Sequence, residues 1–500
     1  MRLILAALAF ALVLIRPAAA QTGFDGVWLF DDAPDYPGVT MMQVTTGNGV
    51  TNGIVTTQWY GPMRMRDVRI EGDTATFEMR TLNDREHRVR TWTAHLTDDG
   101  VTLAGDIWSS HVEQTGVRGT PAEAAQRTFM MMPLPPMRTV TQAPLAKTPP
   151  MGWSSWNKFG DKIDDKTIRE IADAMVSSGL RDAGYVYVNI DDGWQGTRDA
   201  QGNIRPNDKF PDMKALADYV HGRGLKLGIY SSQGPKTCAG YEGSYGHVAQ
   251  DATTYAAWGI DYLKYDLCSG EWFYNDRDSV MRSYAEMGAA LQATGREIVF
   301  ALCEYGRFDV GEWGRRVGGH SWRTTGDIVD DYETMARIGF EHNGDPANAG
   351  PGGWNDADML EVGNGGMSAD EYRTHMALWA ISAAPLLMGH DLRTMDAETK
   401  AILENPEVIA IDQDALGVQG RKVRGDGKAE IWSRPLADGG AAVAIFNRGT
   451  EPTAVTLAPG DAGAAGLDGL RDVWRGAVVA AGTRTFTVAG HGVVLLRAGG

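Results

Sequence analysis

Hydrophobic positions recur with two different periods along this chain, and the change of period divides it. From Gly26 to about Trp108 they alternate in short segments broken by turns. Side chains two apart share one face of an extended strand, so the pattern predicts antiparallel β structure with one face buried. Glu71-Gly72-Asp73 interrupts two strand-like runs between Asp67 and Arg80, and Asp98-Asp99-Gly100 separates TWTAHL from VTLAGDIW, a hairpin signal. A small sandwich or barrel is expected. Its aromatics Trp28, Trp59, Tyr60, Trp92 and Trp108 would form either a sugar platform or core, and core is the commoner use.

Prolines then cluster at 133, 135, 136, 144, 149 and 150, which reads as a linker holding the β module at a distance. Beyond Pro150 the period becomes helical. Ile168, Ile171, Ala172 and Met175 mark one face ended by Gly179, and Met213, Leu216, Ala217 and Val220 mark another ended by Gly222 and Gly224. Strands alternate with such helices and are expected near 151–156, 186–191, 225–230, 262–266, 298–303, 321–325, 353–356 and 380–387. Eight strand and helix units predict a closed parallel (β/α)8 TIM barrel ending near residue 415. From about Gln419 alternation returns in AEIWSRPL, AAVAIFN, TAVTL, RDVW, RTFTV and GVVLL, a C-terminal antiparallel β-sandwich whose core is expected to hold Trp432 and Phe446. The expected organisation is a leader at 1–20, an N-terminal all-β domain at 21–132, the linker at 133–147, the barrel at 148–415 and the last domain at 416–500.

The leader adds a compartment. Arg2, an apolar run from Leu3 to Ile15 and the small residues Ala18, Ala19 and Ala20 form an export signal, too short to span a bilayer, with cleavage expected near Ala20. The product would be periplasmic or extracellular. The 500 residues carry a net charge of -17, which disfavours nucleic acid and anionic membrane as partners and leaves a neutral one. Cys238, Cys268 and Cys303 allow one disulfide and one free thiol, and no Cys/His spacing resembles a zinc site.

Chemistry gathers where the barrel strands should end. The stretch DYLKYDLC reads as a buried strand on which Lys264 and Asp266 project to the same side, either as a structural ion pair or as part of a site. Trp156, Asp191, Asp192, Tyr230, Cys303, Glu304, Arg323, Asp327 and Asp358 fall at or just beyond other strand ends, and barrel topology would bring them to the same rim. This set lacks histidine, and Lys264 and Arg323 would oppose a metal ion. Carboxylates with aromatics suit a sugar, whose apolar face stacks on a ring while its hydroxyls need charged partners.

The segments TPPMGWSSWN, YVNIDDGW, LGIYSS, TCAG, DYLKYDLC, CEYG, SWRTTGDI, GPGGWNDADML and ALWAISAAPLLMGHDLR, in this order, strongly resemble the α-galactosidases of glycoside hydrolase family 27, over about residues 148–415. The resemblance implies a retaining hydrolase needing no cofactor and acting on terminal α-linked galactose in oligosaccharides or polysaccharides. It makes Asp266 the nucleophile and Asp327 the general acid and base. Lys264 would favour the charged form of Asp266 and donate to a sugar hydroxyl, and Arg323 would bind substrate or bias Asp327. An alternative role for Asp327 is a cap on a helix beginning near Ile328. By the same resemblance Asp191 and Asp192 meet the hydroxyls of carbons 4 and 6, Trp156 stacks on the sugar, Tyr230 lines the pocket and Asp358 holds the site or the substrate. Glu304 and Tyr305 stand where relatives that accept N-acetylgalactosamine have small residues, which implies a free hydroxyl at carbon 2. Cys238 and Cys268 match a family disulfide. Cys303 would be a buried free thiol at the pocket, because Gly319 stands where some members have its partner. A β-L-arabinopyranosidase, an α-N-acetylgalactosaminidase and a galactose-binding protein without catalysis remain the alternatives.

Overall fold

The computed structural model describes residues 23–30, 38–47, 49–57, 61–80, 89–107, 110–127, 132–274 and 276–499. The leader, Trp59, Tyr60 and Trp108 lie outside the described residues. The chain divides into two units, one up to Met131 and one from Met132.

In the first unit nine described strands form one antiparallel sheet. Its first strand, Gly26–Phe30, pairs with both Val39–Gly47 and the last, Ser110–Gly119, as an up-and-down sheet does when it curls on itself. The expected turns are present. Glu71 faces Thr74 and Thr97 faces Gly100 across two-residue loops. Trp28 and Trp92 are buried, so both pack the core and neither is a platform. Gly105 is needed there, because a Cβ on it would lie 2.2 Å from the Trp92 ring.

The second unit contains the barrel. Its strands are β1 (Met151–Ser154), β2 (Tyr187–Asn189), β3 (Lys226–Ser232), β4 (Tyr262–Asp266), β5 (Val299–Cys303), β6 (Ser321–Arg323), β7 (Trp354–Asp356) and β8 (Leu386–Met388). Each is parallel to the next, and β8 returns to β1 through Met151 and Leu386. The ring closes just beyond β7, where Leu360 bridges Met388 and its amide donates to the Leu387 carbonyl at 2.7 Å. Seven strands lie where the sequence places them. The eighth differs: residues 380 and 381 end the helix Ala369–Ile381, and β8 begins only at Leu386. That helix is buried on nearly every side in its second half, so its apolar positions run together and the helical period disappears.

The proline-rich segment is also different from a free spacer. It lies against the barrel: the Met132 amide donates to the Tyr245 hydroxyl, the Val140 amide to the Arg316 carbonyl, and Trp354 Nε1 to the Ala146 carbonyl, at 2.8, 3.0 and 2.8 Å. Prolines remove donors but leave every carbonyl free to accept, which suits a strap held by side chains of its support.

The C-terminal strands Ala429–Pro435 and Ala441–Asn447 are buried on both faces. Ile431, Val443 and Ile445 enter the sandwich core, whereas Trp432, Ala442, Ala444 and Phe446 belong to the barrel cluster. The expectation for Trp432 and Phe446 is therefore corrected: both rings pack on Phe340, at 6.0 and 5.0 Å between centroids. Period two assigns residues to opposite faces but does not say which face meets which neighbour. Among the described residues no helix is long and apolar enough to cross a membrane.

Candidate active site

Asp266 is the last residue of β4 and is buried at the C-terminal mouth of the barrel. Its Oδ1 accepts the Leu267 amide at 2.7 Å and its Oδ2 the Tyr230 hydroxyl at 3.0 Å. The Tyr305 hydroxyl also favours the charged form of Asp266. Burial raises the carboxyl above its ordinary range, and this outweighs the opposing pull of Lys264 and of the Tyr305 hydroxyl. Lys264 thus favours the charged form of Asp266 as expected, but from a distance. Its ammonium bonds Asp191 Oδ2 at 2.9 Å, and only its longer-range field reaches Asp266. Two residues apart on a strand means the same face, yet the direct ionic partner of Lys264 comes from the end of β2, two strands away.

Asp327 follows β6 and is exposed, its side chain 61% accessible. Arg323, the last residue of β6, reaches Asp327 Oδ1 at 3.1 Å and Asp358 Oδ2 at 3.0 Å. Partial desolvation pulls Asp327 upward, but Arg323 and Lys264 prevail and hold it below the usual range. The helix-cap alternative fails, since the next helix is Tyr332–Ala336 and its cap is Asp331. Asp358 has its other contacts with the frame: its Oδ2 accepts the Ile328 amide at 2.9 Å and its carbonyl accepts Trp379 Nε1 at 2.8 Å. It sits at φ 77°, a left-handed conformation that such contacts must hold.

Across the mouth, Asp191 and Asp192 follow β2 and are buried. Ser155 Oγ accepts the Asp191 amide at 2.9 Å, and Asp192 Oδ2 accepts the Ala239 amide at 2.8 Å. Burial first, and the charges of Asp191 and Asp266 after it, push Asp192 up to about 7. Trp156 opens the short helix Trp156–Phe159 beyond β1 and is half-buried. Glu304 is fully buried; its carboxylate oxygens have no hydrogen bond of normal geometry, and burial raises the group well above the ordinary range. Cys303 is a buried free thiol, pushed up by burial, with Arg323 Nη1 3.8 Å away.

Cys238 and Cys268 form a disulfide. Its sulfurs lie 3.5 and 3.4 Å from the Tyr305 hydroxyl, and Cys238 Sγ is 3.7 Å from Asp266 Oδ2. The mouth therefore gathers Asp266, Asp327, Asp191, Asp192, Tyr230, Lys264, Tyr305 and Arg323. Sequence reasoning missed their supports. Trp194 Nε1 and Gln195 Nε2 both donate to the Tyr230 carbonyl, and buried Asp356, raised to about 6 by desolvation, faces Arg323. Trp194 and Asp356 lie inside quoted motifs, so their positions were visible while their contacts were not.

A family model described as Alpha galactosidase A matches residues 148–414, and one described as Alpha galactosidase C-terminal beta sandwich domain matches residues 426–498. An α-galactosidase of Oryza sativa subsp. japonica is 50% identical over 355 residues, which cover 69% of this chain and 84% of that protein. The crystal structure of α-galactosidase I from Mortierella vinacea matches with a TM-score of 0.67 at 35% identity, over 71% of this chain and 97% of that one. A solved Bacteroides fragilis structure matches over 95% of this chain and 98% of its own, with a TM-score of 0.68 at 32% identity, and so takes in most of the residues before the barrel as well. A barrel mouth lined by carboxylates, two consecutive domain matches and half-identical relatives agree, and the chain belongs to the α-galactosidase family of glycoside hydrolases, the melibiases.

Proposed function

We propose that this protein is a retaining α-galactosidase in which Asp266 is the nucleophile and Asp327 the general acid and base. The observation that carries the reading is the pairing of unlike carboxylates on one mouth. Asp266 is buried among donors, Asp327 is exposed beside Arg323, and each lies within the other's electrostatic reach. In the first step Asp327 gives its proton to the glycosidic oxygen while the Asp266 carboxylate attacks the anomeric carbon, forming a glycosyl ester and releasing the aglycone. In the second, Asp327 takes a proton from water, the water oxygen attacks the same carbon, and Asp266 leaves as carboxylate. Two inversions give retention.

The open site holds Asp266 high and Asp327 low, the reverse of what the first step needs. A sugar seated in the mouth would take water from Asp327, and lost hydration raises a carboxyl toward the range of a working acid. Asp191 and Asp192 would receive the hydroxyls of carbons 4 and 6, Lys264 would donate beside them and Trp156 would stack on the ring. Glu304 and Tyr305 would fill the space an acetamide on carbon 2 requires. The disulfide supports the proposed export, since such bonds persist in oxidising compartments.

The test is hydrolysis of an aryl α-galactoside followed by NMR of the first anomer released. Wild type should release α-galactose, Asp266→Asn almost none, and Asp327→Ala should be slowed least with the best leaving group. Release of β-galactose first would sink the retaining mechanism. Faster cleavage of the aryl β-L-arabinopyranoside or α-N-acetylgalactosaminide would displace the substrate.

A further inference from the structure

Tyr305 was read above as bulk beside carbon 2, yet its hydroxyl is turned toward the nucleophile. It lies 3.5 and 3.4 Å from the two sulfurs of the cystine, one of which is 3.7 Å from Asp266 Oδ2, so the hydroxyl stands beside the nucleophile and its electrostatic influence favours the Asp266 anion. The guanidinium carbons of Arg307 and Arg323 lie 5.7 and 5.8 Å from its ring centroid, within the range of cation–π attraction. Its backbone sits at φ 60°, rare for a tyrosine, and the following Gly306 has no room for a Cβ, which would fall 2.0 Å from the Thr324 carbonyl oxygen. A conformation this restricted, braced by two cations and a disulfide, aims one hydroxyl at one carboxylate.

We propose that Tyr305 is a positioning residue that, with Tyr230, holds the Asp266 carboxylate through a two-tyrosine cradle and thereby sets the pH at which the enzyme works. The inference rests on Asp266 being the nucleophile. Hydrogen bonds to a carboxylate favour its charged form. That form is needed when Asp266 attacks, and it is regenerated when Asp266 leaves the glycosyl ester, so the cradle would favour the second step. Other groups act on Asp266 as well. Lys264 on β4 favours the anion, while the carboxyl groups of Asp192 after β2, Glu304 after β5, Asp327 after β6 and Glu271 in the turn after β4 disfavour it in whatever measure each is ionised, and burial pushes the Cys303 thiol up. Tyr305→Phe removes the hydroxyl and leaves all of these in place.

The experiment compares pH profiles of kcat/KM for wild type, Tyr305→Phe and Asp266→Asn on an aryl α-galactoside. The optimum lies midway between the two apparent pKa values of the coupled carboxylates. Losing the hydroxyl that favours the anion, worth about one pKa unit, should raise the optimum of Tyr305→Phe by about half a pH unit. A residue that only fills space would leave the optimum where it is, because phenylalanine keeps the ring. An unchanged optimum in Tyr305→Phe with Asp266→Asn inactive overturns the role of Tyr305 alone. Full activity in Asp266→Asn overturns the nucleophile reading and this proposal with it.

Discussion

Glu304 and Glu430 are equally withdrawn from water, and they spend that burial differently. Glu430, on the face of the sandwich that meets the barrel, accepts Arg448 Nη1 at 3.1 Å, Lys422 Nζ at 3.4 Å and Trp432 Nε1 at 2.9 Å. Glu304, at the barrel mouth, accepts no side-chain hydrogen bond among the described residues; the amides at residues 304 and 306 and the more distant Arg323 only partly offset its burial. Asp412 and Asp192 differ in place instead, since each is buried with one carboxylate oxygen unpartnered. At the seam Asp412 accepts Gln413 Nε2 at 2.7 Å, while Arg434 donates to the Ala380 and Asp412 carbonyls at helix ends, where a cation meets the negative pole of each helix. At the mouth Asp192 is raised by burial first and then by Asp191 and Asp266 around a shared space. Buried charge that is saturated by its own protein serves the frame. Buried polar groups left under-satisfied on one rim are what a polyhydroxylated ligand would complete.

The sharpest way to break this comparison is to neutralise the two raised aspartates. Asp192→Asn should lower kcat/KM by roughly 10²-fold or more, because an acceptor in the pocket becomes a donor. Asp412→Asn should leave kcat/KM within about twofold, since that group never meets substrate. Their effects on stability should instead agree. Asp192 titrates at about 7 and Asp412 at about 8 in the folded chain, against about 3.9 unfolded. From about pH 4 up to those values the native state keeps a proton that the unfolded chain has lost, so stability falls as pH rises through that window. Each asparagine should flatten this fall, as read from denaturant midpoints at pH 5 and pH 8. A seam variant that loses activity as strongly as the mouth variant would dissolve the distinction.

The two glutamates give the next test. Glu430→Gln removes a buried anion from two partly exposed cations and should cost about 2 kcal/mol in urea unfolding. Burial holds Glu304 well above the usual carboxylate range and disfavours its charged form, so Glu304→Gln should change stability by less than about 0.5 kcal/mol. A large loss from Glu304→Gln would show that it carries charge in the folded chain. The smallest effect belongs to Cys303. Its thiol is buried and pushed upward, so a thiol reagent should label none of it in the native protein and one equivalent per chain after denaturation without reductant. Native labelling would mean that the pocket floor opens.

Much of the frame is legible in the sequence, because period is a local property. The alternation before residue 108 and after 419, and the helical faces at Ile168 to Met175 and Met213 to Val220, require only neighbours along the chain. The helix Ala369–Ile381 was misjudged at its end because complete burial erases the polar side on which periodicity depends. Trp432 and Phe446 were placed in the wrong core for a related reason: alternation separates two faces, and here both are covered.

The sequence by itself determined the barrel and its flanking β domains, the family, and which residue types stand at the strand ends, since these follow from order and spacing along one chain. Tertiary structure alone decided who holds whom: that Lys264 bonds Asp191 and not Asp266, that Arg323 is shared by Asp327 and Asp358, and that the Tyr305 hydroxyl stands with the cystine beside the nucleophile. These partners are 73, 4, 35 and 39 positions apart in sequence, and charge interactions depend on distance through space and on exclusion of water, neither of which the order of residues records.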